Sequence, residues 1–109
     1  MKIIQMDEFY KLPAGTLCMT YYDKMIIKEE TIYDNGIPID FFYRDMNEII
    51  DTDKKDGTSF EVDFTSSERD GEYNDKRWWA VYEVKDISGL INVLNNCLYQ
   101  LYEKELEIL

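Results

Sequence analysis

The chain has 109 residues, of which 45% are hydrophobic and 32% charged, and its formal net charge at pH 7 is −11. Nine Tyr, five Phe and two Trp supply enough aromatic surface for a folded core, so the composition argues against a disordered chain. No apolar run approaches the roughly 20 residues of a membrane span, and the early acidic residues leave no room for a signal-peptide core. The length predicts a single domain over residues 1–109, which we expect in the cytosol.

The first part of the chain predicts a short helix followed by two strands. Residues 5–12 place apolar side chains on one side, and their acidic first turn suits the positive end of a helix dipole. The Pro-Ala-Gly sequence at 13–15 ends this helix, because proline cannot continue the hydrogen-bond ladder. Two runs rich in β-forming residues follow at 16–22 and 25–33.

A tight hairpin is predicted at Asn35 and Gly36, since this pair readily adopts the positive φ angles of a two-residue turn. The third strand, residues 39–43, follows directly. Pro38 has no backbone N–H to donate, so the start of this strand, next to Pro38, should lie at a sheet edge or a strand boundary.

The second half predicts two further strands separated by polar loops. Residues 44–58 are polar and show little periodicity, whereas residues 59–64 alternate apolar and acidic side chains as a half-buried strand does. Residues 65–76 predict an exposed loop. Residues 77–84 form the most hydrophobic strand, which we place at the centre of the sheet.

The C-terminal segment predicts a long helix that begins near Asp86 or Ser88, either of which can cap it. Its apolar residues recur at helical spacing and form one stripe. They are Ile87, Leu90, Ile91, Leu94, Leu98 and Leu101. The fold class is therefore α+β, with a four- to five-stranded, mainly antiparallel sheet, a short N-terminal helix and a long C-terminal helix packed on the sheet.

Two tryptophans and two cysteines raise the question of packing against function. In an alternating strand only one of Trp78 and Trp79 faces the core, and the other is either covered by the helix or available as an interface anchor. Cys18 and Cys97 lie among apolar residues in a chain without a secretion signal. We expect both thiols to be reduced and packed.

The whole net charge lies in the middle of the chain. Residues 29–75 hold 15 acidic and 4 basic residues, which gives −11, whereas the remainder holds 8 of each and is neutral. We take the densest acidic set as a candidate partner-binding surface. Its members are Asp51, Asp53, Asp56, Glu61, Asp63, Glu68, Asp70, Glu72 and Asp75.

This acidic set has two interpretations. One is a solvated surface that keeps a small protein soluble. The other is a surface for a basic groove, because Glu61 and Asp63 point the same way from one predicted strand with Cα atoms about 6.6 Å apart. Such a row of anions would pair with Lys and Arg that otherwise hold phosphates. Direct binding to nucleic acid is disfavoured, since a charge of −11 repels phosphate.

The chain shows no recognisable catalytic or cofactor motif. It contains no histidine, which excludes the usual triads and His-containing metal sites, and two cysteines cannot form a Cys₄ zinc site. Residues 51–57 resemble a calcium loop only in part, because Lys55 and Asp56 occupy the positions where an acidic residue and glycine are needed. The five glycines form no phosphate-binding motif. We therefore expect no enzyme activity, cofactor or metal.

Three segments resemble small proteins of phages and mobile elements. They are Phe9-Tyr10-Lys11-Leu12-Pro13-Ala14-Gly15-Thr16-Leu17, Asp40-Phe41-Phe42-Tyr43 and Trp79-Ala80-Val81-Tyr82-Glu83. In size and acidity the chain also resembles the anti-CRISPR proteins that such elements encode, several of which act as DNA mimics. The resemblance implies a phage-encoded inhibitor that occupies the nucleic-acid groove of a host-defence nuclease. It carries no shared site residues.

Three functional hypotheses follow, of which an enzyme that acts through a pair of the 23 acidic residues is the least favoured. The first is an acidic inhibitor that binds a basic nucleic-acid-binding protein. The alternative is a non-enzymatic structural or accessory module that forms a homodimer or docks through its aromatic face or its C-terminal helix.

Overall fold

The computed structural model describes residues 1–46, 48–49, 62–72 and 76–108. These residues form eight strands and two helices. In chain order they are β1 (Lys2–Gln5), α1 (Met6–Tyr10), β2 (Thr16–Thr20), β3 (Met25–Asp34), β4 (Ile37–Asp45), β5 (Glu48–Ile49), β6 (Val62–Asp63), β7 (Ser67–Arg69), β8 (Trp78–Val81) and α2 (Val84–Ile108).

Six strands form one sheet in the order β1-β8-β2-β3-β4-β7, and every neighbouring pair is antiparallel. Strands β5 and β6 pair separately, also antiparallel. The α+β class with an antiparallel sheet, a short first helix and a long last helix is confirmed. Strand β8 lies inside the sheet between β1 and β2, as its hydrophobic sequence predicted.

Two strands of the sheet were not predicted. Strand β1 occupies Lys2–Gln5 and pairs with β8, so helix α1 begins at Met6 and spans Met6–Tyr10. Strand β7 lies in the predicted loop and pairs with the C-terminal half of β4. Both strands are short and mostly exposed, and their pairing depends on partners distant in sequence. Of the predicted strand 59–64, Val62–Asp63 forms β6, and residues 59–61 lie outside the described residues.

The predicted hairpin joins β3 to β4. Asn35 and Gly36 have φ angles of 50° and 78°, which is the left-handed backbone that this turn needs. Pro38 is the second residue of β4 and pairs with Tyr33. Strand β7 pairs only with residues 42–44 of β4, so the proline lies beyond its reach and near the strand boundary, as expected.

The core lies between α1 and one face of the sheet. Phe9 of α1 stacks on Trp79 of β8 with ring centroids 4.0 Å apart, and the edge of Phe41 in β4 meets both rings. The Trp79 indole N–H points to the Met6 sulfur at 3.1 Å. Trp79 is 2% exposed and Trp78 is 39% exposed, so one tryptophan of the pair is in the core, as alternation predicted.

Helix α2 starts at Val84, so Asp86 and Ser88 lie inside it and neither is its N-cap residue. Asp86 still contributes to the helix start, because from the third helical position its carboxylate accepts the backbone N–H of Glu83 at 2.9 Å. The expected packing of this helix on the sheet is not seen for most of its described side chains: from Val84 to Lys104 they are exposed, apart from Asp86 and Leu90, which are half-buried. Periodicity specifies an apolar face of a helix but does not specify what covers it. Cys97, expected to be packed, is exposed for the same reason.

Candidate interaction surfaces

The structure describes the side chains of three members of the candidate acidic set. They are Glu68 in β7 and Asp70 and Glu72 just after it. Asp63 belongs to β6. The remaining members, Asp51, Asp53, Asp56, Glu61 and Asp75, lie outside the described residues. The predicted alignment of Glu61 with Asp63 therefore lies outside them as well.

Asp70 is held inside the molecule by Arg77. Two guanidinium nitrogens of Arg77 donate to the two carboxylate oxygens of Asp70 at 2.8 and 2.9 Å. The Arg77 and Asp70 side chains are 3% and 10% exposed, respectively. The same guanidinium lies 5.4 Å from the Trp79 ring centroid and 5.8 Å from that of Phe41. Burial alone would lower the pKa of Arg77, but the hydrogen bonds to Asp70 hold it above its ordinary value. Asp70 thus belongs to the packing of the sheet.

Glu68 and Glu72 stay on the surface. Glu72 lies 3.3 Å from Arg77 with half of its side chain exposed. Glu68 lies on the edge strand β7, where the Tyr43 hydroxyl donates to its carboxylate at 3.4 Å. These two carboxylates are the described members of the acidic set that can reach a partner.

A second buried carboxylate was not predicted from the sequence. Asp40 of β4 is 1% exposed, and it accepts hydrogen bonds from Arg69 at 2.5 Å and from the backbone N–H groups of Gly71 and Phe41 at 3.0 and 2.9 Å. Burial alone would raise the pKa of Asp40, but these donors hold it below the ordinary value. The Arg69–Asp40 pair anchors β7 and the acidic segment behind it to β4. The available signal was one acidic residue within an apolar strand.

Lys28 is also buried and fully engaged. Its ammonium donates to the carbonyl oxygens of Leu12 and Glu29 at 2.8 and 3.1 Å and to the Thr31 hydroxyl at 2.9 Å. Burial lowers the pKa of Lys28. The side chain connects the α1–β2 loop to β3, which is a structural role.

The two cysteines differ in environment. Cys18 is completely buried in β2, and burial raises the pKa of its thiol to about 12. Cys97 is an exposed free thiol on α2. Within the described residues, no group of three or more Asp, Glu, Cys or His side chains is arranged to hold a metal ion. No described helix is both long and apolar enough to cross a membrane.

An exposed apolar surface runs along α2. We give the name α2 seam to six of its aliphatic residues: Val84, Ile87, Ile91, Leu94, Leu98 and Leu101. Their exposure ranges from 36% for Ile87 to 83% for Val84. Residues 87–102 include no charged side chain, although the chain as a whole carries −11.

Comparison with protein-family models, with curated proteins and with solved structures gave no match. The function is therefore inferred from the residues of this chain.

Proposed function

We propose that this chain is a non-catalytic protein-binding module that docks through the α2 seam. The observation that carries the proposal is the exposure of six aliphatic side chains along one helix. Monomeric soluble proteins rarely expose a contiguous apolar patch of more than a few hundred Å², and larger patches mark interaction sites. The proposed place of action is the cytosol, where a free thiol such as Cys97 stays reduced.

The arrangement of charge supports the same surface. Exposed helices of acidic proteins normally carry charged residues for solubility, yet residues 87–102 have none. The edge strand β7 and the residues just after it, in contrast, carry exposed carboxylates such as Glu68 and Glu72. A partner that meets the seam buries apolar side chains without desolvating a charge, which is the favourable arrangement at an interface core.

The experiment is an affinity purification from host cells with three baits: the native chain, Leu94→Glu and Asn92→Glu. Leu94 lies in the seam, and Asn92 is an exposed residue of the same helix outside it. We expect a partner to be retained by the native and Asn92→Glu baits and to withstand high salt. Equal retention by the Leu94→Glu bait would contradict docking through the seam.

A second candidate function is the acidic inhibitor of a basic nucleic-acid-binding protein, such as a host-defence nuclease. It is favoured by the charge of −11 within residues 29–75 and by the exposed Glu68 on an edge strand. This function predicts that Glu68→Lys with Glu72→Lys relieves inhibition of the nuclease. Asp7→Lys with Glu8→Lys is the matched control, since it changes charge equally at exposed positions outside the acidic region. Inhibition unaffected by the first pair would contradict this candidate.

A further inference from the structure

The α2 seam has the spacing of a coiled coil. From Val84 to Leu101 its six residues follow one another at intervals of three, four, three, four and three. In heptad notation Val84, Ile91 and Leu98 occupy position a, and the other three occupy position d. Aliphatic residues at every a and d position form the surface that packs against a second helix with the same repeat. A helix that packs on a sheet needs no such alternation.

The exposed area of the seam is close to that of a stable interface. At their observed exposures the six side chains leave roughly 600 Å² uncovered per chain, compared with about 800 Å² per partner in a typical specific complex. Tyr102, at a flanking e position, is 56% exposed and adds apolar surface to it. Two seams together therefore approach the size that a dimer needs.

The absence of charge along residues 87–102 makes a second copy an acceptable partner at this surface. Two chains of −11 repel each other wherever their carboxylates meet. Within residues 87–102 the flanking e and g positions are Ser88, Leu90, Asn95, Cys97 and Tyr102, all uncharged. The next g residue is Lys104, a cation. An identical helix can thus approach without the like-charge contacts that prevent pairing at e and g.

We propose that the occupant of the α2 seam is a second copy of this chain and that the two helices form a two-stranded coiled coil along residues 84–101. This inference rests on the proposed function, because it names the partner that docks on the same helix. The sheets of the two copies, which carry the acidic surface, lie outside the paired helices.

The test is sedimentation of the full chain over a range of concentrations. The native chain should form a concentration-dependent dimer. Leu94→Glu with Leu98→Glu should weaken dimerisation at least 100-fold, because it places four carboxylates inside the paired helices. Asn92→Glu with Asn96→Glu adds the same charge at exposed positions b and f and should leave the dimer within about threefold of native. Near-ultraviolet circular dichroism of the Trp79 environment verifies that each variant keeps its core.

Four outcomes would overturn the proposal. One is a native chain that stays monomeric up to about 1 mM while α2 remains helical. The second is a dimer that persists in the Leu94→Glu, Leu98→Glu variant. The third is equal loss of dimer in the control pair. The fourth is an assembly of more than two chains that depends on the seam, since it contradicts a two-stranded coiled coil.

The failure of this inference is distinguishable from failure of the proposed function. One outcome is a native chain that is monomeric and yet captures a different protein in the affinity purification. If the Leu94→Glu bait does not capture that protein, the result supports docking through the seam and overturns self-association. A chain that neither dimerises nor captures a partner through the seam contradicts both.

Discussion

Arg77 lies where the acidic surface meets the core. Its guanidinium binds the Asp70 carboxylate on one side and lies against the rings of Phe41 and Trp79 on the other. Removing one member of a buried ion pair leaves an uncompensated charge, which destabilises more than the pair itself stabilises. The side chain therefore couples the position of the acidic segment to the stability of the sheet.

We expect Arg77→Met to lower the free energy of unfolding by about 3 kcal/mol, since Asp70 would lose its bidentate partner. Urea denaturation followed by tryptophan fluorescence measures this change. Lys85→Met, which removes an exposed cation from α2, should stay within about 0.5 kcal/mol of native. A loss of less than about 1 kcal/mol in Arg77→Met would show that the guanidinium is not needed for folding.

Asp40 predicts a pH dependence of stability. Its pKa in the folded chain lies below the ordinary value, so the folded state favours the carboxylate. The stabilisation is fully present above the unfolded pKa of about 4 and is lost as the pH falls through the lower folded pKa. Asp40→Asn should therefore destabilise the chain by about 2 kcal/mol at pH 7, and the gap to native should narrow as the pH falls below about 4.

Urea denaturation at several pH values measures this gap. Asp34→Asn is the matched control, because Asp34 is exposed, and it should change stability at pH 7 by less than about 0.5 kcal/mol. A gap between Asp40→Asn and native that is constant from pH 7 to about pH 2 would contradict the assignment.

At the scale of elements, local patterns were sufficient where a segment carries its own signal. The Asn35-Gly36 turn, the β8 strand and the periodic α2 helix were all predictable from the residues. Strands β1 and β7 were not, because each has three or four residues and little buried surface. Strand β7 is held by its backbone pairing with β4 and by the Arg69–Asp40 ion pair. The local sequence reveals neither of these long-range contacts.

The candidate sites show the same limit. Counting charges along the sequence selected Glu68 and Glu72, which do lie on the surface. It also selected Asp70 and could not show that this carboxylate is bound to Arg77. The apolar stripe of α2 was found from its spacing, whereas its exposure required the three-dimensional arrangement of the helix and the sheet.

Two glycines should respond in opposite directions to the same substitution. Gly36 has a φ of +78° in the hairpin turn, so Gly36→Ala should destabilise the sheet by about 1 kcal/mol. Gly89 lies in α2, and apart from its two chain neighbours and the helix's own backbone no atom is within 4 Å of the place that an alanine methyl would occupy. Gly89→Ala should therefore increase helix stability by about 1 kcal/mol. Thermal unfolding followed by circular dichroism measures both, and the same sign for the two variants would contradict these assignments.

On the scale of the whole molecule, the chain is extended. Its radius of gyration is 17.4 Å, compared with about 13 Å for a compact domain of this length. The longest dimension is 61 Å, and α2 with its 25 residues accounts for about 37 Å of helix. An acidic sheet and an uncharged helical seam are thus carried by different parts of one molecule.

This separation predicts opposite responses to salt. Self-association through the seam brings two negative chains together, so raising the ionic strength should strengthen it by screening their repulsion. We expect the dissociation constant of the dimer to be several-fold lower at 0.5 M than at 0.05 M salt, because the Debye length falls from about 14 to 4 Å over this range. Sedimentation equilibrium measures it.

A basic partner bound through the acidic surface should instead dissociate as salt rises. Weakening of the dimer by salt would mean that charged contacts, and not the seam, hold the two copies together.

The unlike surroundings of the two thiols have a practical consequence. The thiolate is the form that reacts with maleimides, and a pKa of about 12 leaves almost none of it at Cys18 near neutral pH. Cys97 is open to solvent on α2, one residue before Leu98. The native chain therefore offers a single attachment point for a spin label or a fluorophore beside the seam, and the motion and spacing of α2 can be followed spectroscopically without changing any residue.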